Sequence, residues 1–183
     1  LFRSMLRLAF GLGTRAVDRI EDDYTRIVAL NAPEKRPEKT LEDSRKYIQR
    51  DVDVVDLGEN RFATYPVKKI FPLLPEKLLP FFALRDEEML KRAEELNIAP
   101  STTWRLTFDG LFGKTSFAEE MREMLATLQA AYRNPVDTEF TVNFQEDGGY
   151  RVNLVQCRPF KVRLMGTGDL GVLPDAIPPE KIV

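Results

Sequence analysis

Two carboxylates, a carboxamide and a guanidinium stand in two short alternating runs, Asp137 and Glu139 in the first and Gln156 and Arg158 in the second. Carboxylates two residues apart on a strand face the same side and repel unless a cation lies between them. With a carboxamide oxygen added, they form the hard-oxygen set that Mg²⁺ accepts. Arg158 supplies a planar fork of N–H donors suited to phosphate. Metal ligands beside a phosphate-binding cation meet the needs of nucleotide phosphoryl transfer, a chemistry of positioning and charge neutralisation. The same residues also make an ordinary cross-strand ion pair on an exposed ribbon, and spacing alone leaves both readings open. The chain has no histidine, so it holds no His-dependent triad, His metal site or phosphohistidine of its own.

A β-hairpin must bring the four residues together. Residues 136–144 alternate, Glu146-Asp147-Gly148-Gly149 is a hairpin turn signal, and residues 150–160 form the return strand. A two-residue turn at Asp147-Gly148 sets Glu139 opposite Gln156 and Asp137 opposite Arg158, with all four on one face. Sliding the turn to Gly148-Gly149 keeps that face, whereas a three-residue loop breaks it. The opposite face carries Val136, Thr138, Phe140, Val142 and Phe144, with Val155 and Cys157 across from them, and reads as the core side.

Upstream, residues 6–12 read as a short buried strand ending at Gly11-Leu12-Gly13, where glycine permits tight turns and close backbone approach. A G-x-G pair after a strand fits either a phosphate contact or a plain turn. Residues 24–30 form a second strand, and residues 31–39 a polar, proline-punctuated loop. Thr40 caps a short helix, and residues 52–57 and 61–67 pair across Gly58-Glu59-Asn60. The apolar connection 70–84, broken by prolines, is expected to be buried against the domain or against neighbouring parts outside it, with a partner-binding patch as the alternative. Residues 86–96 form an amphipathic helix with Met89, Ala93 and Leu96 on one side, and residues 103–108 a strand. Gly113-Lys114-Thr115 resembles the end of a P-loop, but the glycine required five residues before Gly113 is Phe108. Thr115 or Ser116 instead caps a helix over 117–132 with Met121, Met124, Leu125, Leu128 and Ala131 in its core stripe. The element order predicts an α+β fold, a mostly antiparallel sheet with helices on one face.

Asp137-Thr138-Glu139-Phe140, followed one hairpin later by Leu154-Val155-Gln156-Cys157-Arg158-Pro159, resembles the D-x-E-[WF] … [IL]-[LV]-Q-x-R-P signature of the phosphoenolpyruvate synthase and pyruvate phosphate dikinase family. That signature closes the family's ATP-grasp nucleotide-binding domain. Gly11-Leu12-Gly13 leading to Asp22-Asp23-Tyr24 resembles the family's G-L-G-E-x-V-x-G … P-D-x-[YF] segment, with Thr14 in place of Glu and Arg19 in place of Gly. The resemblance implies an ATP-grasp-like fold and ATP and Mg²⁺ as cofactors. It implies Mg²⁺ ligation by Asp137, Glu139 and Gln156, nucleotide contacts from Gln156, Gly11 and Gly13, and stabilisation of the transferring phosphoryl group by Arg158. It further implies an ATP-dependent phosphotransferase acting through an enzyme histidine on pyruvate. The family's other nucleotide wall lies upstream, and its phosphohistidine domain lies later in the chain. The alternative is a non-catalytic ATP-grasp relative serving as a nucleotide-binding or regulatory module, in keeping with Thr14 and Arg19.

The 183 residues fill one to one and a half domains at about 150 residues each. A chain that begins without Met and runs straight into a strand reads as a piece of a longer protein: residues 1–163 as the C-terminal part of an ATP-grasp domain, inactive alone, and 164–183 as a linker or docking tail. The arginines among its first ten residues do not make a targeting segment, because Arg7 interrupts the apolar run. A formal net charge of −2 with interspersed signs gives no basic footprint for nucleic acid. No apolar run reaches membrane-spanning length. The single cysteine, Cys157, excludes an internal disulfide and fits a reducing, cytoplasmic setting.

Overall fold

Each strand finds its partner in the neighbouring strand along the chain, so antiparallel pairing is local and the cost of loop closure stays low. The computed structural model describes residues 4–17, 23–38, 40–97 and 103–160. In it β1 (Met5–Leu8) pairs with β2 (Arg26–Ala29), β3 (Asp51–Asp56) with β4 (Arg61–Pro66), β5 (Ala83–Arg85) with β6 (Trp104–Leu106), and β7 (Val136–Phe144) with β8 (Tyr150–Pro159). Between them lie α1 (Thr14–Val17), α2 (Leu41–Lys46), α3 (Val67–Ile70), α4 (Leu79–Phe82), α5 (Glu87–Glu95), α6 (Asp109–Lys114) and α7 (Phe117–Tyr132). The architecture is α+β with antiparallel pairing, as the element order predicts. Among the described residues the expected sheet is replaced by four two-stranded ribbons. A lone ribbon is marginally stable, and here the ribbons share one apolar core to which Leu6, Leu8, Leu30, Val52, Ala83 and Leu106 contribute from their strands or strand ends.

The connection 70–84 enters that core, as expected: Phe71, Leu78, Leu79 and Phe82 are buried, while Leu73 points outward. In α5 only Ala93 of the expected stripe is buried, and Met89 and Leu96 are exposed. Along α7 burial fades from Met121 through Leu128 to an exposed Ala131, because the helix runs out past the core it packs on. Ser116 is the N-cap residue of α7 without a side-chain capping bond, and the Thr115 hydroxyl before it accepts from the Phe117 N–H at 3.2 Å. The preceding segment forms the short helix α6, entered through a left-handed Phe108, which removes any P-loop cradle there.

Thr40 caps α2 as expected, accepting from the Asp43 N–H at 3.0 Å. Asp86 caps α5 by accepting from the Met89 N–H at 3.2 Å. Its carboxylate also takes two N–H groups of Arg45 at 2.8 and 2.7 Å. The Arg45 guanidinium holds the Asp86 carboxyl below the usual carboxylate range. The stabilisation this brings is therefore present above the carboxyl's unfolded pKa of about 3.9 and disappears as the pH falls through the lower folded value. Asp86→Asn keeps a capping oxygen but loses the charge. Urea unfolding from neutral to acid pH should show a shallower acid loss of stability in the variant than in the wild type.

Candidate nucleotide-binding face

The hairpin turn is longer than its sequence signal suggests. Gln145 and Gly149 close the loop, with the Gln145 N–H donating to the Gly149 carbonyl at 2.7 Å and the Gly148 N–H to the Gln145 carbonyl at 3.0 Å. Glu146, Asp147 and Gly148 make a three-residue loop, and Gly148 takes φ +92°, which glycine adopts without strain. The odd loop shifts the inner ladder to Phe144 opposite Tyr150, Val142 opposite Val152 and Phe140 opposite Leu154. A bulge between Glu139 and Phe140 then absorbs one residue of β8, Val155. Beyond it Glu139 faces Gln156 and Asp137 faces Arg158. The two offsets cancel, and the expected outer pairing stands on a turn that differs from the expected one.

The bulge also reassigns the core side. Val155, expected to be packed, is 63% exposed. Val152 and Tyr150 occupy the positions across from Val142 and Phe144. Phe144 packs edge-on against Phe82, with ring centroids 4.7 Å apart, and Phe82 lies 5.5 Å from Phe10. This file of rings ties the hairpin to the residue just before Gly11.

On the polar face, Nε and Nη2 of Arg158 both donate to one carboxylate oxygen of Asp137, at 2.8 and 2.6 Å. The bond raises the guanidinium pKa further. Glu139 and Gln156 are exposed side by side, and no side-chain hydrogen bond ties either of them to another described residue. The face continues through Thr141 and Asn153, joined at 3.3 Å. One open surface thus presents two carboxylates, a carboxamide oxygen and a guanidinium. The carboxylate and amide oxygens suit a small hard cation, and the guanidinium suits a phosphate once it leaves Asp137. Among the described residues no three His, Cys, Asp or Glu side chains cluster as metal ligands, so any cation held here would draw on the amide oxygen and on its ligand's own oxygens.

Gly11 and Gly13 adopt φ +102° and +83°. Gly11 lies against β3 so closely that a Cβ there would sit 2.4 Å from Val52 Cγ2 and 2.7 Å from the Asp53 carbonyl oxygen. The buried Gln49 clamps the preceding residue, accepting from the Phe10 N–H at 2.7 Å and donating to its carbonyl at 2.8 Å. Thr14, the departure from the glycine-loop pattern, donates its hydroxyl to Asp53 at 2.6 Å. Gln49 and Asp53 escape sequence reading, since neither falls in a motif; the one available signal is an acid in mid-strand opposite a threonine. Arg19 and Asp22 lie outside the described residues, as does the tail from 164 onward. No helix among the described residues is long and apolar enough to cross a membrane.

A family model described as pyruvate phosphate dikinase, AMP/ATP-binding domain, matches residues 3–168. The match spans both the glycine loop and the hairpin. No curated protein and no solved structure matches the chain.

Proposed function

Because the chain belongs to the pyruvate phosphate dikinase AMP/ATP-binding domain family, we propose that it is one wall of an ATP-grasp nucleotide site in a longer phosphoenolpyruvate synthase-like phosphotransferase. The observation that carries this reading is the hairpin register, which gathers Asp137, Glu139, Gln156 and Arg158 on one open face. Asp137, Glu139 and the Gln156 amide oxygen would hold Mg²⁺, which when bound neutralises phosphate charge. Gln156 also orients the nucleotide phosphates, and Gly11 and Gly13 bring backbone close to them. Arg158 exchanges Asp137 for the transferring phosphoryl group and stabilises the charge that develops there. The remaining phosphate-binding cations belong to an upstream half, and the phosphoryl acceptor to a phosphohistidine domain in the same longer chain, a cytoplasmic enzyme passing the group to pyruvate. In this reading residues 1–163 are the C-terminal part of the ATP-grasp domain and 164–183 a linker or docking tail.

A second reading, a nucleotide-binding or regulatory module without catalysis, draws on Thr14, which is bonded to Asp53 where the family's pattern has a glutamate. The two readings differ in turnover and agree on binding.

With one wall only, this chain should bind Mg·ATP in the millimolar range or weaker, and Glu139→Gln should weaken the Mg²⁺ dependence of what binding remains. Titration calorimetry with and without Mg²⁺ tests both expectations. Micromolar affinity for the chain alone would overturn the half-site reading.

A further inference from the structure

Asp53 lies on β3 beneath the glycine loop, and its acceptors are shared among Leu12 of the loop, Thr14 and Arg15 of α1, and Thr64 of β4. Its main-chain oxygen accepts from the Leu12 N–H at 3.1 Å. One carboxylate oxygen accepts the Thr14 hydroxyl at 2.6 Å; the other takes the Thr64 hydroxyl at 2.6 Å and Arg15 Nη2 at 3.2 Å. Arg15 is itself buried and paired with Asp23, whose carboxylate also accepts from the Arg50 N–H at 2.6 Å. The loop is thus held from below by backbone contact at Gly11 and from its far end by one carboxylate acting through Thr14 and Arg15. The hydroxyl donors keep the Asp53 carboxyl below the usual carboxylate range, so it stays ionised at neutral pH. A glutamate at position 14 would set a second carboxylate against Asp53, so the threonine found there is what lets this acid close on the loop.

We propose that Asp53 is a positioning residue for nucleotide binding, holding the glycine loop through Thr14 and Arg15 in the one conformation that meets the nucleotide phosphates. The inference rests on the reading of Gly11 and Gly13 as phosphate contacts. A loop ordered in advance spares the ligand the entropy of ordering it. If releasing the loop leaves it competent for a tenth of the time, apparent affinity falls about tenfold, by the competent fraction.

The test compares the full-length wild type with Asp53→Ala and Thr14→Val. Amide hydrogen exchange reads loop order at Leu12, and calorimetry reads affinity for Mg·ATP and for adenosine, which lacks phosphates. Release of the loop should speed Leu12 exchange and weaken Mg·ATP binding, the affinity falling about tenfold for Asp53→Ala and less for Thr14→Val. Adenosine affinity should not change, and in Thr14→Val, which leaves the Asp53–Thr64 bond in place, neither should exchange in the β3–β4 ladder. If Asp53→Ala fails to fold, Thr14→Val, which removes a single hydrogen bond, carries the same comparison. Unchanged Leu12 exchange overturns the inference, as does faster exchange with unaltered Mg·ATP affinity, which leaves the nucleotide-site reading standing. A loss of adenosine affinity in step with Mg·ATP also overturns it, since the effect would then be general. A wild type that binds no Mg·ATP removes the nucleotide-site reading and the inference with it.

Discussion

Phe117→Ala is expected to lower the stability of the chain by about 3–5 kcal/mol, the usual cost of emptying a fully buried phenylalanine site. Phe117 is 0% exposed, at the start of α7 where helix and hairpin meet. Its ring lies 5.7 Å from that of Phe112, 6.0 Å from Tyr150 and 6.3 Å from Phe140. The cavity would be walled on one side by β7 and β8, which could close on it only by giving up the register that sets the polar face. Phe140 faces the core as parity predicts, but it is only half-buried, and Phe140→Ala should cost distinctly less. Gln156→Ala, on the exposed side, should cost least. Urea unfolding of the three variants checks the order. A Phe140→Ala loss equal to that of Phe117→Ala would show that the hairpin, not α7, anchors this part of the core.

The contrast between these residues shows where sequence reasoning succeeds and where it stops. Alternation marks Phe140, Val142 and Phe144 as one face and Asp137 and Glu139 as the other, because side-chain parity on a strand is fixed by its pleat. Alternation does not disclose a bulge, since an extra residue costs the pattern only one step; Val155 is misread for that reason. Turn chemistry names the place of the reversal through Asp147-Gly148 but not its length, because a glycine with positive φ serves two-residue and three-residue loops alike. Helix existence is legible in α7 from its apolar period, whereas its exposed end at Ala131 depends on how far the core extends beneath it, a tertiary fact. The α6 turn, with Gly110 and Gly113 inside it, carries low helix propensity, and packing overrides that propensity. The glycine loop is legible as a loop, but Asp53 and Gln49 lie some forty residues downstream, and only the fold brings them beneath it.

Arg158→Ala in the full-length protein is expected to reduce ATP-dependent phosphoryl transfer by about a hundredfold or more, as loss of a single preorganised donor to transition-state charge does. The residue is exposed and its bonds run to Asp137 alone among the described residues, so the change opens no cavity and folding should be untouched. An exposed ion pair of this kind contributes little to stability. If Arg158 acts as proposed, the loss should fall mainly on kcat, with a modest rise in KM for ATP, because a guanidinium paired to Asp137 would turn to the phosphoryl group only as charge develops there. Glu139→Gln should instead raise the Mg²⁺ concentration needed for half-maximal rate, since it removes a ligand charge and leaves Arg158 in place. Combining the two separates the roles: independent contributions multiply, whereas parts of one charge-neutralising unit give a double variant little worse than the worse single one. Wild-type turnover in the double variant would reduce the whole constellation to a surface ion-pair ladder and leave the non-catalytic reading in its place.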